Sequence, residues 1–294
     1  MRNNNKSIII SLLVLFSGCD KDSFNSIYNS DVCFMGLQMH QSMAFYGNKA
    51  AFVTPVGNNL VCDIYQISTQ EFEARVFLPF NGYSIPHANV SCFGKDLFSG
   101  YSILPLLYVS SWNNQRQAFV YDITTNNGVN DSSLIQVIDP NCVSEDIVGG
   151  GYLDWVVDSE GGYLYSIAYH LKGTSSVSEG NYTHVTKFLL PPVTQQLVKL
   201  SDDDVLDNFA LPVMTVFQDK GYADGHIYVV AGIPDESGQY PPRLYDINLD
   251  NKSLQEYTIP LYGEPEGFCI YEGSKWLNMY GSSIVYNLDN LMNL

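Results

Sequence analysis

The chain has 294 residues, of which 46% are hydrophobic and only 15% are charged, a balance that excludes disordered and collagen-like proteins. Its 14 Lys and Arg residues against 31 Asp and Glu residues give a formal net charge of -17. Because phosphate binding requires clustered basic side chains, this charge argues against a nucleic-acid partner. The 21 tyrosines and the scarcity of lysine favour β-strands over helices.

The first 18 residues have the pattern of a signal peptide. Arg2 and Lys6 precede an apolar run from Ile8 to Phe16, which is about half the length that spans a bilayer. The sequence therefore predicts a signal peptide over residues 1–18, a tether over residues 19–30 and a folded domain over residues 31–294. No later stretch is apolar for long enough to cross a membrane.

The end of this segment, Phe16-Ser17-Gly18-Cys19, resembles the lipobox of bacterial lipoproteins, although leucine is more usual at the position of Phe16. The resemblance implies that Cys19 carries the lipid and becomes the first residue of the mature chain. Asp20-Lys21-Asp22 resembles the acidic export signal of surface lipoproteins in Bacteroidetes, which implies a lipid-anchored protein on the outer membrane, facing outward. The alternative is an ordinary secretory signal with a chance cysteine.

The other five cysteines are predicted to be free, buried thiols. They are odd in number and include no C-x-x-C pair, so neither a zinc site nor a redox motif is indicated. Most lie in apolar, strand-like stretches, where cysteine usually acts as a small hydrophobic residue. They are Cys33, Cys62, Cys92, Cys142 and Cys269.

A repeated pattern indicates the fold. One motif, an apolar residue followed by Tyr or Thr, a polar residue and an apolar residue, is typical of a half-buried strand that runs into a turn. It occurs five times, at 64–69, 120–125, 185–188, 244–249 and 285–289. Two strand-like stretches precede each motif, at 43–45 with 50–53, 90–93 with 106–109, 155–157 with 163–167, 214–217 with 226–230 and 268–271 with 275–279. A fourth follows the first four motifs, at 72–79, 134–140, 196–202 and 254–260.

Units of four antiparallel strands repeated in this way predict an all-β fold, a five-bladed β-propeller. The last unit ends without its fourth strand, and an open edge strand is a liability. We therefore expect the spare apolar stretch Asp31–Met39 to complete the last blade and close the ring. The alternative is a β-sandwich arrangement, either seven-stranded or in two domains.

Several short runs resemble Bacteroidetes surface lipoproteins that are predicted to be propellers. They are Pro86-His87-Ala88-Asn89, Phe93-Gly94, 105–110, 154–158 and 264–267. The resemblance implies the fold and the surface location but no reaction.

Aligning the units places polar residues at one level of the central channel, where the blade interior should be apolar. The predicted ligand-binding residues are Gln41, His87, Asn89, Asp154, Trp155 and Glu266, with the Val213–Met214 region at the same level of the fourth blade. A carboxylate beside an aromatic ring, as at Asp154 and Trp155, suits a sugar. Structural roles, such as satisfying backbone groups in a water-filled channel, are the competing interpretation.

Three functions follow from this ring. The first is binding of an extracellular ligand, with a glycan as the expected class, without chemistry. The second is glycoside hydrolysis, with Asp154 and Glu266 as catalytic acid and base and His87 as the modulator of their pKa. The third is a protein-interaction scaffold.

No cofactor is predicted. Calcium is an option at Asp202–Asp204 with Asp207, but this run lacks the glycine and spacing of an EF-hand and is better explained as a solvated acidic loop.

Overall fold

The computed structural model describes residues 31–34, 36–37, 40–84, 86–111, 116–149, 152–170, 182–212, 214, 217–233 and 240–293. The predicted signal peptide, Cys19 and the tether lie outside these residues. The described part of the chain forms five β-sheets arranged as a five-bladed propeller, as predicted.

In chain order the strands are β1 (Val32–Cys33), β2 (Ser42–Tyr46), β3 (Lys49–Val56), β4 (Asn59–Gln66), β5 (Phe72–Leu78), β6 (Ser91–Phe93), β7 (Leu107–Ser110), β8 (Ala118–Asn126), β9 (Val129–Cys142), β10 (Leu153–Asp158), β11 (Tyr163–His170), β12 (Tyr182–Leu189), β13 (Leu197–Ser201), β14 (Val205–Pro212), β15 (Phe217–Ala223), β16 (His226–Ile233), β17 (Tyr240–Asn248), β18 (Ser253–Thr258), β19 (Pro265–Tyr271), β20 (Ser274–Met279) and β21 (Ile284–Asn287). Two short helices, α1 (Glu145–Val148) and α2 (Leu288–Met292), and a 3-10 turn at Asp202–Asp204 complete the described elements.

Within each blade the antiparallel order follows from short turns. Between β8 and β9 the two loop residues Asn127 and Gly128 have φ of 51° and 77°. Two consecutive positive φ values match the backbone twist of a two-residue hairpin, and Asn-Gly is the pair that adopts them at least cost. This pairing gives the sheets β2-β3-β4-β5, β6-β7-β8-β9, β10-β11-β12-β14, β15-β16-β17-β18 and β19-β20-β21-β1.

The N-terminal strand closes the ring, as the sequence predicts. β1 pairs antiparallel with β21, matching Val32 with Val285 and Cys33 with Ile284. Phe34, which follows directly, is fully buried and makes edge-to-face contacts with Phe45, Phe52 and Tyr65 of the first blade. The closing segment thus completes the fifth blade by backbone pairing and joins it to the first blade through an aromatic cluster.

The prediction for the third blade was wrong in one strand. The stretch 196–202 was expected to be its fourth strand, but β13 pairs in parallel with β9 and extends the second blade, while β14 completes the third. Both stretches alternate apolar and polar residues, so the pattern shows that each is a strand without choosing its partner. The amide of Gln136 on β9 donates to the carbonyls of Pro192 and Gln195 and holds the segment that leads into β13.

The hydrophobic core lies between neighbouring blades and not at the axis. One cluster lies between the first two blades and includes Val53, Leu107 and Phe119. Another joins the second and third blades around Trp155 and Phe188. Because these interfaces bury the apolar face of each sheet, the inner strands β2, β6, β10, β15 and β19 are brought into contact around one central channel.

The cysteine prediction is confirmed in part. All five described cysteines are free, and Cys62 and Cys269 are buried. Cys92 is partly buried, and Cys33 and Cys142 are exposed instead, because each of these two lies at the end of its strand.

We expect Phe34→Ala to lower the free energy of unfolding by ~3–5 kcal/mol, because the substitution leaves a cavity in the aromatic cluster that fastens the closing segment. Urea denaturation followed by tryptophan fluorescence measures this change. Phe77→Ala is the matched control, since the side chain of Phe77 is 61% exposed. An equal, small effect in the two variants would show that the closing segment contributes little to stability.

Candidate functional site

The inner strands bring polar residues of all five blades to the channel, as the sequence alignment predicts for four of them. Gln41 directly precedes β2 and Asn89 closely precedes β6, whereas Asp154 and Glu266 lie within β10 and β19. The fourth blade contributes differently from the prediction. Met214 is buried in a hydrophobic cluster, and the polar residues of this blade come from the start of β15.

A buried ion pair lies at the centre of the channel. Lys220 Nζ donates to Asp154 Oδ2 at 2.6 Å, and both side chains are 0% exposed. The same ammonium donates to the carbonyl of Gln218 at 2.7 Å, and Asn89 Nδ2 donates to Asp154 Oδ2 at 3.0 Å. We call Asn89, Asp154, Asp219 and Lys220 the central network; the pair and its amide neighbour join blades two, three and four.

Asp219 extends this network to the remaining blades. Its Oδ2 accepts the backbone N–H of Met43 on β2 at 3.0 Å and of Phe268 on β19 at 2.8 Å. Inner strands are sheet edges, and their channel-facing N–H groups need acceptors when water is excluded. One carboxylate therefore satisfies two edge strands and joins the fourth blade to the fifth and the first.

Burial governs the charges of this network. Desolvation lowers the pKa of Lys220, although the carboxylates of Asp154 and Asp219 oppose this effect. Desolvation also raises the pKa of Asp219 well above its usual value, against the three backbone hydrogen bonds that it accepts. Since the ammonium and Asp154 compensate each other in a region without solvent, the pair is suited to holding the blades together and not to exchanging protons with a substrate.

Above the network the channel opens in a second polar group, formed by Gln41, Gln218, Glu264 and Glu266, which we call the mouth. Gln218 Nε2 donates to Glu264 Oε1 at 2.7 Å. The side chain of Gln41 hydrogen-bonds to Glu266. Gln41 and Glu264 are half-buried and reach solvent, whereas Glu266 is only 4% exposed.

The mouth changes the protonation of its carboxyl groups. Burial first, and then the charge of Glu264, raise the pKa of Glu266 to about 9, although the hydrogen bond from Gln41 acts in the opposite direction. Burial also raises the pKa of Glu264. Glu266 lies inside β19, where the strand fixes its side chain in the channel. A carboxyl group that is neutral near pH 7 can donate a hydrogen bond as well as accept one.

His87 and Trp155 occupy different surroundings from those of the mouth residues. His87 is on the surface, where partial desolvation lowers its pKa and the charge of Asp154 opposes this. Trp155 is buried between the second and third blades, and its Nε1 donates to the carbonyl of Arg116 at 2.9 Å. Because successive side chains of a strand point to opposite faces, Asp154 turns toward the fourth blade while Trp155 turns toward the second, so this ring does not lie beside the carboxylate.

The opposite end of the channel forms a separate recess of about 260 Å³. All five inner strands line it, and it contains Cys92 and Cys269. Burial raises the pKa of Cys92 to about 12 and that of Cys269 well above its usual value. These thiols are therefore protonated, which makes them poor nucleophiles.

The acidic run considered for calcium has partners within the protein. Asp202 Oδ1 accepts the backbone N–H of Ser144 at 2.7 Å, Asp204 closes a capping box with Ser201, and Asp207 pairs with Lys252 at 2.8 Å. Among the described residues, no group of three or more His, Cys, Asp or Glu side chains is arranged to hold a metal ion. No described helix has the length and apolar character needed to cross a membrane.

Sequence reasoning missed Gln218, Asp219, Lys220 and Glu264. The signal was present in the run Gln218-Asp219-Lys220-Gly221, which places three polar residues in an otherwise apolar inner strand. Gly221 also has a structural requirement, since a Cβ there would lie 3.1 Å from Phe268 Cε1 across the channel.

Comparisons with known proteins give structural similarity alone. No family model matches the chain, and no curated protein matches it. The chain is similar to the solved hydrazine synthase of Kuenenia stuttgartiensis, at 12% identity and a TM-score of 0.44 over 86% of this chain and 65% of that one. It is also similar to a puromycin hydrolase S511A mutant complexed with PGG (13%, 0.42, 85% and 36%) and to a chain of a nidogen/laminin complex (9%, 0.37, 74% and 62%). This chain thus spans less than two thirds of the length of these proteins, and at such identities the likeness says nothing about activity.

We expect Lys220→Met alone to lower the free energy of unfolding by ~3–5 kcal/mol, because it leaves the carboxylate of Asp154 buried without a counter-charge. The double variant Lys220→Met with Asp154→Asn should recover a large part of this loss. Lys252→Met is the control, since its pair with Asp207 is 42% and 43% exposed and should tolerate the change. Urea denaturation of the original protein, Lys220→Met, Asp154→Asn and the double variant measures the coupling. Additive effects of the two single substitutions would show that the buried pair is not what joins the blades.

Proposed function

We propose that this protein is a surface lipoprotein that binds an extracellular glycan at the mouth of its propeller channel. The observation that carries the proposal is the convergence of amide and carboxyl side chains from three blades on one partly exposed position, supported from below by the rigid central network. A few convergent polar groups that fix the orientation of a ligand are typical of small-ligand binding.

The chemistry of the mouth suits a neutral, hydroxylated ligand. Two of its oxygens, Glu266 Oε2 and Gln41 Oε1, have no hydrogen-bond partner among the described residues. Sugar hydroxyls donate to such acceptors. Since buried polar atoms in proteins are almost always satisfied, these oxygens favour a polar ligand over an apolar one.

The geometry does not favour the hydrolase that the sequence suggests as an alternative. That mechanism needs Asp154 and Glu266 as acid and base on either side of a glycosidic bond. Asp154 instead holds Lys220 and Asn89 in a position that solvent does not reach. Binding without chemistry is therefore the function we propose.

The location rests on the N-terminal sequence. Two or more acyl chains at Cys19 would give stable anchoring, because each buried methylene contributes ~0.8 kcal/mol. On this proposal the tether that the sequence predicts over residues 19–30 separates the ring from the lipid.

We expect Glu264→Ala and Gln41→Ala each to weaken glycan binding about ten-fold, because each removes a hydrogen-bonding group of the mouth. Glycan-array screening followed by titration of the best ligand measures this. Both residues are half-buried, so the variants should fold. Glu71→Ala, at an exposed position on the outside of the first blade, serves as the control, and a glycan that binds all three variants like the original protein would place the site elsewhere.

We expect Cys19→Ala to abolish labelling with radioactive palmitate in a bacterial host that processes lipoproteins, because the thiol is the acceptor. Cys33→Ala should leave labelling intact, although Cys33 is also an exposed cysteine. Labelling that survives Cys19→Ala would refute the anchor and leave an ordinary secretory signal.

A further inference from the structure

In the channel, the side-chain nitrogens of Gln41, Asn89, Gln218 and Lys220 have hydrogen-bond partners, whereas several side-chain oxygens have none. The amide of Gln218 donates to Glu264, the amide of Asn89 donates to Asp154, and Lys220 donates to Asp154 and to a carbonyl. Gln41 donates to Glu266, since its Oε1 has no partner. The side-chain nitrogen of each of these four residues thus has at least one partner within the protein.

The atoms that remain are oxygens, and they are acceptors when Glu266 is ionised. Glu266 Oε2, Gln41 Oε1 and Asp154 Oδ1 are buried and have no hydrogen-bond partner among the described residues. Glu266 and Asp154 are 4% and 0% exposed, so these are not solvated surface oxygens. A ligand that complements them must bring donors.

The charges around the mouth also favour a ligand that brings hydrogen-bond donors, in particular a cation. Glu264 and Glu266 are two residues apart in the chain and close enough for their charges to interact. The nearest cation of the central network, Lys220, is already held by Asp154 and the carbonyl of Gln218. The formal net charge of -17 gives the protein a field that attracts cations. Like charges in a desolvated position are stabilised by an opposite charge from outside.

We infer that the mouth binds a primary ammonium group held by Glu264, Glu266 and Gln41. On the proposed glycan-binding function, on which this assignment of the ligand rests, the glycan carries an amino sugar with a free amine. An ammonium group has three donors and no acceptor, which matches the excess of acceptors, and charge-assisted hydrogen bonds to carboxylates are the stronger kind.

Protonation gives this inference its pH dependence. The titratable groups around Glu266 are Glu264, which directly precedes β19, His40 against the neighbouring Gly267, and Asp219 and Lys220 on β15. Because the pKa of Glu266 is raised to about 9, it holds a proton at neutral pH. An ammonium ion favours the ionised carboxylate and displaces that proton, so binding should tighten as the pH rises while the amine stays charged.

The test compares two oligosaccharides that differ only in the amine. Chitosan tetrasaccharide carries free amino groups, and chitin tetrasaccharide carries the same sugars acetylated. Isothermal titration uses the mature chain (residues 19–294) with Cys19→Ser, at about pH 6, where the chitosan amines are charged. We expect chitosan to bind at least ~10-fold more tightly than chitin. Its affinity should rise by up to about ten-fold per pH unit between about pH 5 and pH 6, with release of a proton.

Two variants assign the effect to the mouth. Glu266→Gln keeps the size of the side chain but removes its charge, and should abolish both the preference for chitosan and the pH dependence. Gln41→Ala, at a half-buried position, gives a second reading if Glu266→Gln fails to fold. Glu71→Gln, an exposed position distant from the channel, is the matched control and should bind like the original protein.

The outcomes separate this inference from the proposed function. Equal binding of the two oligosaccharides, lost in Gln41→Ala, would overturn the ammonium site and retain the glycan site. Binding of calcium chloride but of neither oligosaccharide would overturn both and make the mouth a metal site. Binding of a lysine-containing peptide but of neither oligosaccharide would keep the ammonium site and refute the glycan.

Discussion

The ring depends on a single buried constraint, the ion pair between Lys220 and Asp154 with Asp219 beside it. Five sheets that bury their apolar faces against each other leave five edge strands turned toward a narrow axis, where backbone and side-chain polar groups would be desolvated. Residues 219 and 220 of one strand reach the four other blades directly or through Asn89. The cost of desolvating an isolated charge here would be several kcal/mol, so the partners must be placed correctly together, and this requirement fixes how the blades meet.

The same arrangement separates the buried ion pair from the proposed binding site within one channel. In the network below, Lys220 is paired with Asp154 and only Asp154 Oδ1 has no hydrogen-bond partner among the described residues, whereas the mouth above keeps unpaired oxygens on both Glu266 and Gln41. Gln218 links the central network to the mouth, because its carbonyl accepts from Lys220 and its side-chain amide donates to Glu264. This link limits the freedom of the mouth side chains. Such preorganisation lowers the entropy that a ligand must overcome on binding.

The sequence predicts most of the fold because each blade repeats one local pattern, and alternation together with turn residues is local information. It also predicts closure by the N-terminal strand, since the last unit lacks a strand and the chain offers a spare one. It does not predict where β13 pairs, because the alternation of Leu197–Ser201 is equally compatible with two sheet edges.

Four of the five blades were aligned correctly at the channel, and Asp154 and Glu266 were found there; the fourth was misaligned because the apolar Met214 resembles an inner-strand residue. Whether a carboxyl group in the channel forms an ion pair or stays available to a ligand depends on residues far away in the chain, such as Lys220. The spacing of residues in the sequence does not predict such a pairing.

The position of β13 also affects how the molecule comes apart. In the chain, β13 lies between β12 and β14, the third and fourth strands of the third blade. It pairs, however, with β9 of the second blade. The second and third blades are thereby linked through β13. They cannot separate until the backbone hydrogen bonds between β13 and β9 break. The outer edge of β9 is also paired from within the chain, so it is not open to pairing with a strand of another molecule.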